Sequence, residues 1–172
     1  MAVRKILLFP DPVLSMPGAP VDPADPSLPA LIQDLTDSLY KSPGVGLAAP
    51  QIGVLKQVSV IDVRHRRTPS VKALPENHGL IVLINPVLVS GSGEQIPREG
   101  CLSVPDLLAN VRRHLQVRVR TQVLGGGDWE ISASGFEALA LQHEIDHLGG
   151  TLFLDRVLNV KTDIFRRKNP HH

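Results

Sequence analysis

The segment from residue 134 to residue 150 constrains the fold of this chain more than any other part of its sequence. Its apolar positions recur at helical spacing, and the same stripe ends in two imidazoles: Phe136, Leu139, Ala140, His143 and His147. Ser134 and Glu137 have the spacing of a capping box, and Gly149 and Gly150 follow the last position, as at many helix ends. The pattern predicts one helix with a buried apolar face from which both histidines project.

Other segments have periodicities that predict their secondary structure. An amphipathic helix is expected from Leu28 to Leu39, before Pro43 and Gly44. The remaining predictions are two short buried strands at 57–61 and 80–84, an alternating strand at 115–123 that forms a hairpin with 129–133, extended surface chain at 10–29, and a solvated basic loop at 64–67. Strands outnumber helices without regular alternation, so the predicted class is α+β.

Length and composition exclude several classes of protein. The 172 residues fit one domain, which we place at 1–160 with a short basic tail at 161–172. A net charge of +1 argues against DNA binding, and no apolar run approaches the roughly 20 residues of a membrane helix. The N-terminus has no features of a secretory or transit peptide, so a cytoplasmic location is expected. The single cysteine, Cys101, excludes an internal disulfide.

The two histidines of the predicted helix frame an H-E-x-x-H pattern. His143 and His147 are four residues apart, so both imidazoles can converge on one metal ion, and Glu144 between them would handle protons. The alternative is a surface helix end with two solvated histidines. The apolar residues on the same face favour metal ligation, because buried imidazoles need partners. Asp146 lies off that face and is expected to be a surface charge.

A catalytic metal usually takes three protein ligands and keeps one position open. Cys101 is the candidate third ligand, since a divalent cation deprotonates a coordinating thiol. It lies between Gly100, which allows close approach of the backbone, and Pro105, which fixes the chain that follows. The alternative for Cys101 is a small buried apolar residue.

Three segments together resemble the motifs of the peptide deformylase family, in the same order along the chain. They are GVGLAAPQIG at 44–53, EGCLS at 99–103 and QHEIDHL at 142–148. A looser resemblance covers nearly the whole chain. It implies a fold in which antiparallel β-sheets surround a central helix that carries the H-E-x-x-H residues. It also implies that Cys101, His143 and His147 are the metal ligands.

The resemblance implies an activity and further site residues. The reaction is removal of the formyl group from the N-terminal formyl-methionine of nascent polypeptides, with release of formate. In the mechanism that follows, metal-bound hydroxide attacks the formyl carbon and Glu144 acts as general base and acid. Gln51 and the backbone N–H of Leu102 would bind the carbonyl oxygen. The family generally uses Fe²⁺, and Zn²⁺, Ni²⁺ and Co²⁺ are substitutes.

The methionine side chain needs an apolar slot next to these groups. Phe136 and Leu139 precede His143 on its face of the helix, and Val45 lies in the apolar glycine-rich segment. We expect these three residues to form the slot, and the alternative is that they belong to the core. The resemblance adds Gly46, whose backbone would lie close to the substrate. The chain departs from common family residues at Ser15, at Leu107 and Leu108, and at Gly149, which leaves the preference beyond methionine open.

Two other functions compete with this hypothesis. A zinc endopeptidase shares the H-E-x-x-H helix, but its third ligand is usually a histidine or glutamate at a spacing that is missing here. A non-catalytic homologue would bind metal or nascent peptides only, and the intact Glu144, Gln51 and Cys101 argue against it. The basic residues at 161–168 raise a further alternative, a weak electrostatic contact with the ribosome, against a solvated or disordered tail.

Overall fold

Antiparallel sheets and two helices form the computed structural model, which describes residues 3–65 and 77–168. The helices are α1 (Leu28–Lys41) and α2 (Gly135–Leu148). In chain order the strands are β1 (Gly46–Ala48), β2 (Val58–Ile61), β3 (Ile81–Ile84), β4 (Val87–Ser92), β5 (Arg98–Cys101), β6 (Val104–Asn110), β7 (Gln116–Gln122), β8 (Asp128–Ser134) and β9 (Ile164–Arg166). The predicted α+β class, with antiparallel sheets around a helix, is confirmed.

The first sheet has the strand order β1-β2-β3 and packs against α1. Gly46 pairs with Ile61, which in turn pairs with Ile81, so the short β1 is held at the sheet edge by a fully buried neighbour. The amphipathic stripe of α1 buries Leu28, Leu35 and Leu39 against this sheet. The helix predicted from Leu28 and the two strands predicted at 57–61 and 80–84 are therefore confirmed.

The second sheet has the order β4-β7-β8. Strand β7 alternates buried and exposed residues, as its sequence predicts, and pairs with β8 from Gln116 opposite Ser134 to Gln122 opposite Asp128. The predicted hairpin is confirmed. Its buried face packs with the first sheet on α2 through one apolar cluster: Ile61, Val63, Ile81, Leu83, Val117, Val119, Ile131, Ala133, Ala138, Ala140 and Leu141.

The third sheet, β5-β6-β9, brings the cysteine to the helix. The β5–β6 hairpin turns tightly after Cys101, which pairs with Val104 across a register shift. Cys101 then packs in a cluster with Val104, Ala109, Val111 and Phe153. Strand β9 pairs with β6, so part of the expected basic tail belongs to this sheet, and the domain boundary at residue 160 stays a prediction.

Two local predictions differ from the structure or fall partly outside it. Ser134 is the N-cap residue of α2, but its side chain makes no capping hydrogen bond, so the predicted capping box is wrong. Its partner Glu137 is buried and instead accepts hydrogen bonds from His78, at 2.9 Å from the backbone N and 2.8 Å from Nδ1. In the predicted basic loop, Arg64 is largely exposed, and residues 66 and 67 lie outside the described residues.

Neither helix in the described part of the chain is long and apolar enough to cross a membrane.

Candidate metal centre and active site

Cys101, His143 and His147 converge at one point between the β5–β6 turn and α2. Their ligand atoms all lie within 4.8 Å of one another, and Sγ of Cys101 is 3.1 Å from Nε2 of His147. Cys101 and His147 are buried, whereas His143 is partly open to the cavity described below. The three residues that the sequence nominates as ligands are therefore brought together by the fold.

A carboxylate fixes the tautomer of His143. Its Nδ1 lies 2.9 Å from Oε2 of Glu99, which is only 3% exposed. Burial raises the pKa of Glu99, but hydrogen bonds from His143 and Arg113 outweigh it and hold the pKa below its ordinary value. An ionised carboxylate can only accept, so Nδ1 carries the proton and Nε2 is left free for a metal.

The carboxylate of Glu99 belongs to a buried ionic network. Arg113 donates to Glu99 at 2.6 and 3.0 Å and to Asp146 at 2.6 Å, and Arg156 donates twice to Asp146 at 2.6 Å. The interpretation of Asp146 as a surface charge is wrong, because it is 8% exposed and joined to two guanidinium groups. The network links the strand that carries Cys101 to the helix that carries the histidines.

The donor set fits a divalent metal ion. Burial by itself raises the pKa of the Cys101 thiol, but the imidazoles of His147 and His143 hold it well below its ordinary value. Burial lowers the pKa of His143, yet its contacts with Cys101 and Glu99 raise it well above its ordinary value, and a metal ion at Nε2 would replace the proton of the charged ring. A thiolate stabilised by positive charge is the form in which cysteine ligates a metal. One thiolate and two imidazoles suit borderline-soft ions such as zinc or iron.

Glu144 lies beside this cluster as a buried and unpaired carboxyl group. Its Oε2 is buried with no hydrogen-bond partner among the described residues, and burial raises its pKa to about 7. Gly46 of β1 lies directly against it: a Cβ at Gly46 would overlap Oε1 and lie 2.7 Å from Cδ. A carboxyl group in this environment is suited to exchanging protons near neutral pH.

Two hydrogen-bond donors lie next to Cys101: the side-chain amide of Gln51 and the backbone N–H of Leu102. The side-chain nitrogen of Gln51 lies 3.1 Å from Oγ of Ser103 and 3.5 Å from Sγ of Cys101. Its side-chain oxygen accepts from the N–H of Ala48 at 2.9 Å, which fixes the amide so that its NH₂ group faces the cluster. The N–H of Leu102 has no acceptor within residues 3–65 and 77–168. The Leu102 N–H is available to a ligand oxygen, and the Gln51 NH₂ group can donate to the same oxygen by exchanging one of its two present acceptors.

An apolar cavity of about 730 Å³ opens onto the cluster. The four expected substrate-binding residues, Val45, Gly46, Phe136 and Leu139, all line it, together with His143 and Glu144. Leu139 is 8% exposed, whereas Phe136 is 46% exposed. The expectation that Phe136 is buried with the helix face is therefore wrong, because its ring lies at the open side of the cavity.

Arg113, Arg156 and Ser103 were not predicted from the sequence. A buried arginine has no local signature, since its partners Glu99 and Asp146 lie 14 and 33 residues away along the chain. Ser103 lies within the EGCLS motif, and its position two residues after the cysteine was the available signal.

Comparisons with known proteins agree with this geometry. A sequence model of the family described as polypeptide deformylase matches residues 3–163. The peptide deformylase of Syntrophobacter fumaroxidans is 46% identical over 168 residues, which cover 98% of this chain and 94% of that protein. The peptide deformylase of Acidobacterium capsulatum is 42% identical with the same coverage.

Solved structures show the same similarity in three dimensions. A peptide deformylase from Legionella pneumophila superposes with a TM-score of 0.82 at 43% identity, over 93% of this chain and 89% of that one. A class I type b peptide deformylase from Acinetobacter baumannii, solved with Met-Ala-Ser bound, gives 0.83 at 32% identity over 91% and 99%. This chain belongs to the peptide deformylase family.

Proposed function

We propose that this hydrolase removes the formyl group from the N-terminal formyl-methionine of nascent polypeptides and releases formate. The observation that carries the proposal is the position of Glu144, a buried and unpaired carboxyl group beside the cluster of Cys101, His143 and His147. The cavity onto which Glu144, Cys101 and His143 open is lined mainly by apolar residues, as a methionine side chain requires. The related structure with bound Met-Ala-Ser supports this substrate class.

The family is metal-dependent, and we assign the metal to Cys101, His143 and His147. When bound, a divalent ion at these residues supplies Lewis-acid chemistry that makes water a stronger nucleophile near neutral pH. We propose Fe²⁺ as the physiological ion, with Zn²⁺, Ni²⁺ or Co²⁺ as substitutes, since the thiolate and imidazole donors accept all four. Metal analysis of protein purified without oxygen, followed by activity before and after exposure to air, tests this assignment.

The protein groups have distinct parts in the reaction. Gln51 and the N–H of Leu102 donate to the formyl oxygen, whose negative charge increases as the carbonyl carbon becomes tetrahedral. Glu144 takes a proton from the attacking water and delivers it to the methionine nitrogen as the C–N bond breaks. The water oxygen remains on the formyl carbon, so the products are formate and a free amine. Gly46 leaves space for Glu144 because it has no side chain.

We assign the methionine slot to Val45, Phe136 and Leu139, with Gly46 at the backbone of the substrate. Val45 packs against the apolar cluster next to α2, and Leu139 lies one helical turn before His143. A slot formed from the helix that carries the ligands holds the side chain at a fixed distance from the reacting group. Replacing Leu139 by Ala is expected to raise KM for formyl-methionyl peptides more than for formyl-alanyl ones.

Formate release from N-formyl-Met-Ala-Ser, measured without oxygen on the Fe²⁺-loaded protein, tests the proposed activity. Glu144→Gln keeps the shape of the side chain, but its amide cannot take up a proton from water, so kcat is expected to fall by about 10²–10⁴-fold. The metal content of this variant should equal that of the wild type. Absence of formate despite one bound metal per chain would overturn the proposal.

The same assay separates the competing functions. A zinc endopeptidase would cleave internal bonds of an unformylated peptide, which mass spectrometry would detect as shorter fragments. A non-catalytic binder would bind the peptide and release nothing. We expect a single product that is lighter than the substrate by the formyl group.

A weak ribosome contact and a cytoplasmic location remain parts of this proposal. Lys161, Arg166 and Lys168 are exposed, and cations on one surface are attracted to RNA phosphates. A deformylase also has to act where formylated chains are synthesised. Replacing the three residues by Gln should weaken co-sedimentation with ribosomes at low salt, and unchanged co-sedimentation would contradict the contact.

A further inference from the structure

Two guanidinium groups line one part of the active-site cavity without a carboxylate partner. Arg98 of β5 and Arg167, directly after β9, both belong to the cavity lining. Neither forms an ion pair with any residue that the structure describes. The two carboxylates of the lining do not pair with them, because Glu99 binds Arg113 and His143, and Glu144 forms no ion pair with a described residue. This part of the cavity therefore has uncompensated positive charge.

Arg167 is held in a fixed position next to the reacting end of the cavity. Its backbone N–H donates to the carbonyl oxygen of Asp106 at 2.8 Å. Its guanidinium lies against Gly100, where a Cβ would overlap Nη2. Gly100 immediately precedes the ligand Cys101. The Nε of Arg167 is buried and has no hydrogen-bond partner among the described residues, a state that a ligand acceptor would relieve.

Arg98 is oriented by an aromatic ring of β9, which lies on the other side of β6 from β5. Its guanidinium carbon lies 4.0 Å from the centroid of the Phe165 ring. Phe165 pairs with Leu108 on β6, and Arg98 pairs with Asn110 on the other side of the same strand, so the third sheet sets this contact. A stacked guanidinium keeps its N–H groups free at the edge of its plane.

We propose that Arg98 and Arg167 form a carboxylate-binding subsite for the part of the peptide that follows the formyl-methionine. The inference rests on the proposed function, since a peptide whose formyl group lies at Glu144 and Cys101 has to extend into the rest of the cavity, whose lining includes Arg98 and Arg167. Guanidinium groups pair with carboxylates through parallel N–H···O bonds. The carboxylate can come from an acidic side chain of a nascent chain or from the free C-terminus of a short peptide.

Matched peptides with amidated C-termini test whether the bound carboxylate comes from an acidic side chain. The series is N-formyl-Met-Ala-X amide and N-formyl-Met-X-Ala amide, with X as Glu, Gln or Lys. At low salt the wild type is expected to favour Glu over Lys by about fivefold in kcat/KM at one of the two positions. The ratio should decrease at high salt, because exposed charges are screened.

Variants of Arg167 identify the group responsible. Arg167→Gln should bring the Glu-to-Lys ratio close to one, whereas Arg167→Lys, which keeps the charge, should retain part of it. Arg118→Gln is the control, since Arg118 is an exposed arginine of β7 outside the cavity lining. Because each ratio is taken within one variant, a change in folded or metal-loaded fraction cancels.

A second comparison tests whether the bound carboxylate is the free C-terminus of a short peptide. N-formyl-Met-Ala-Ser as the free acid is compared with its amide, in the wild type and in Arg98→Gln. A preference for the free acid that Arg98→Gln or Arg167→Gln removes supports a subsite for the α-carboxylate. The subsite is overturned if the wild type shows kcat/KM ratios near one both for Glu against Lys and for free acid against amide. It is also overturned if Arg98→Gln and Arg167→Gln both leave these ratios unchanged. Failure of the wild type to deformylate the neutral Gln peptides would instead refute the proposed function.

Discussion

Glu99 and His143 are joined by a hydrogen bond of 2.9 Å between Oε2 and Nδ1, although one lies on β5 and the other on α2. The same carboxylate accepts two hydrogen bonds from the buried Arg113. The orientation of a proposed metal ligand is therefore set by residues that do not touch the metal. Such partners usually affect metal affinity by 10–100-fold.

Glu99→Gln is therefore expected to weaken metal binding by about 10–100-fold, because the neutral amide is a poorer acceptor for Nδ1–H. Transfer of Zn²⁺ or Co²⁺ from the protein to a chromogenic chelator measures the change. Glu137→Gln is a matched control, since Glu137 is also a buried carboxylate bonded to a histidine ring, His78, but belongs to a different part of α2. Equal transfer rates for the two variants would contradict the role of Glu99.

Removing Asp146 should destabilise the fold as well as the site. Asp146→Ala leaves Arg113 with only Glu99 as a partner, and loss of one member of a buried ionic network typically costs about 3 kcal/mol. The free energy of unfolding in urea measures this cost. Glu130→Ala breaks the exposed pair with Arg118 and is expected to cost less than about 1 kcal/mol. Similar losses for the two variants would show that the network contributes little.

Gly46→Ala tests how closely β1 approaches the general base. A Cβ at this position would overlap Oε1 of Glu144 and lie 2.9 Å from its Cγ, so the carboxyl group would have to move. Misplacement of a catalytic group by about 1 Å can cost 10²-fold, so kcat should fall by about that factor with little change in bound metal. Gly149→Ala is the control, since the nearest atom to its Cβ is Asp146 O at 3.5 Å. Wild-type kcat in Gly46→Ala would refute the prediction.

The spacing of apolar residues correctly predicted the helices and strands that bury one face and expose the other. In α1 and β7 the apolar residues recur at the spacing of the buried face, so the pattern is visible in the sequence itself. Strand β4 was missed because its sequence, VLVSGS, does not alternate apolar and polar residues, and all six of its residues are exposed. Strand β9 was missed because it has only three residues, too few to show a periodicity, and depends on pairing with β6.

The candidate site was predicted through motifs, and its supporting groups were not. The spacing of His143 and His147 on one helix is a local property, whereas the burial of Asp146 depends on Arg113 and Arg156 from elsewhere in the chain. The capping-box prediction for Glu137 failed for a similar reason, because His78 offers it a better-placed pair of donors. Tertiary partners of charged residues have no periodicity in the sequence.

Asp62 gives a pH-dependent contribution to stability away from the metal site. Hydrogen bonds from Arg64 at 2.9 Å and from the Tyr40 hydroxyl at 3.0 Å, acting against burial, hold the pKa of Asp62 below its ordinary value. A carboxylate with a lowered folded-state pKa stabilises the protein above the unfolded pKa of about 3.9, and this contribution is lost as pH falls through the folded value.

The stability difference between wild type and Asp62→Asn should therefore be largest above about pH 5 and should shrink towards pH 2. Urea midpoints of both proteins at matched pH measure it, with Asp128→Asn, at the exposed first residue of β8, as the control. A difference that stays constant across this range would show that ionisation of Asp62 is not the cause.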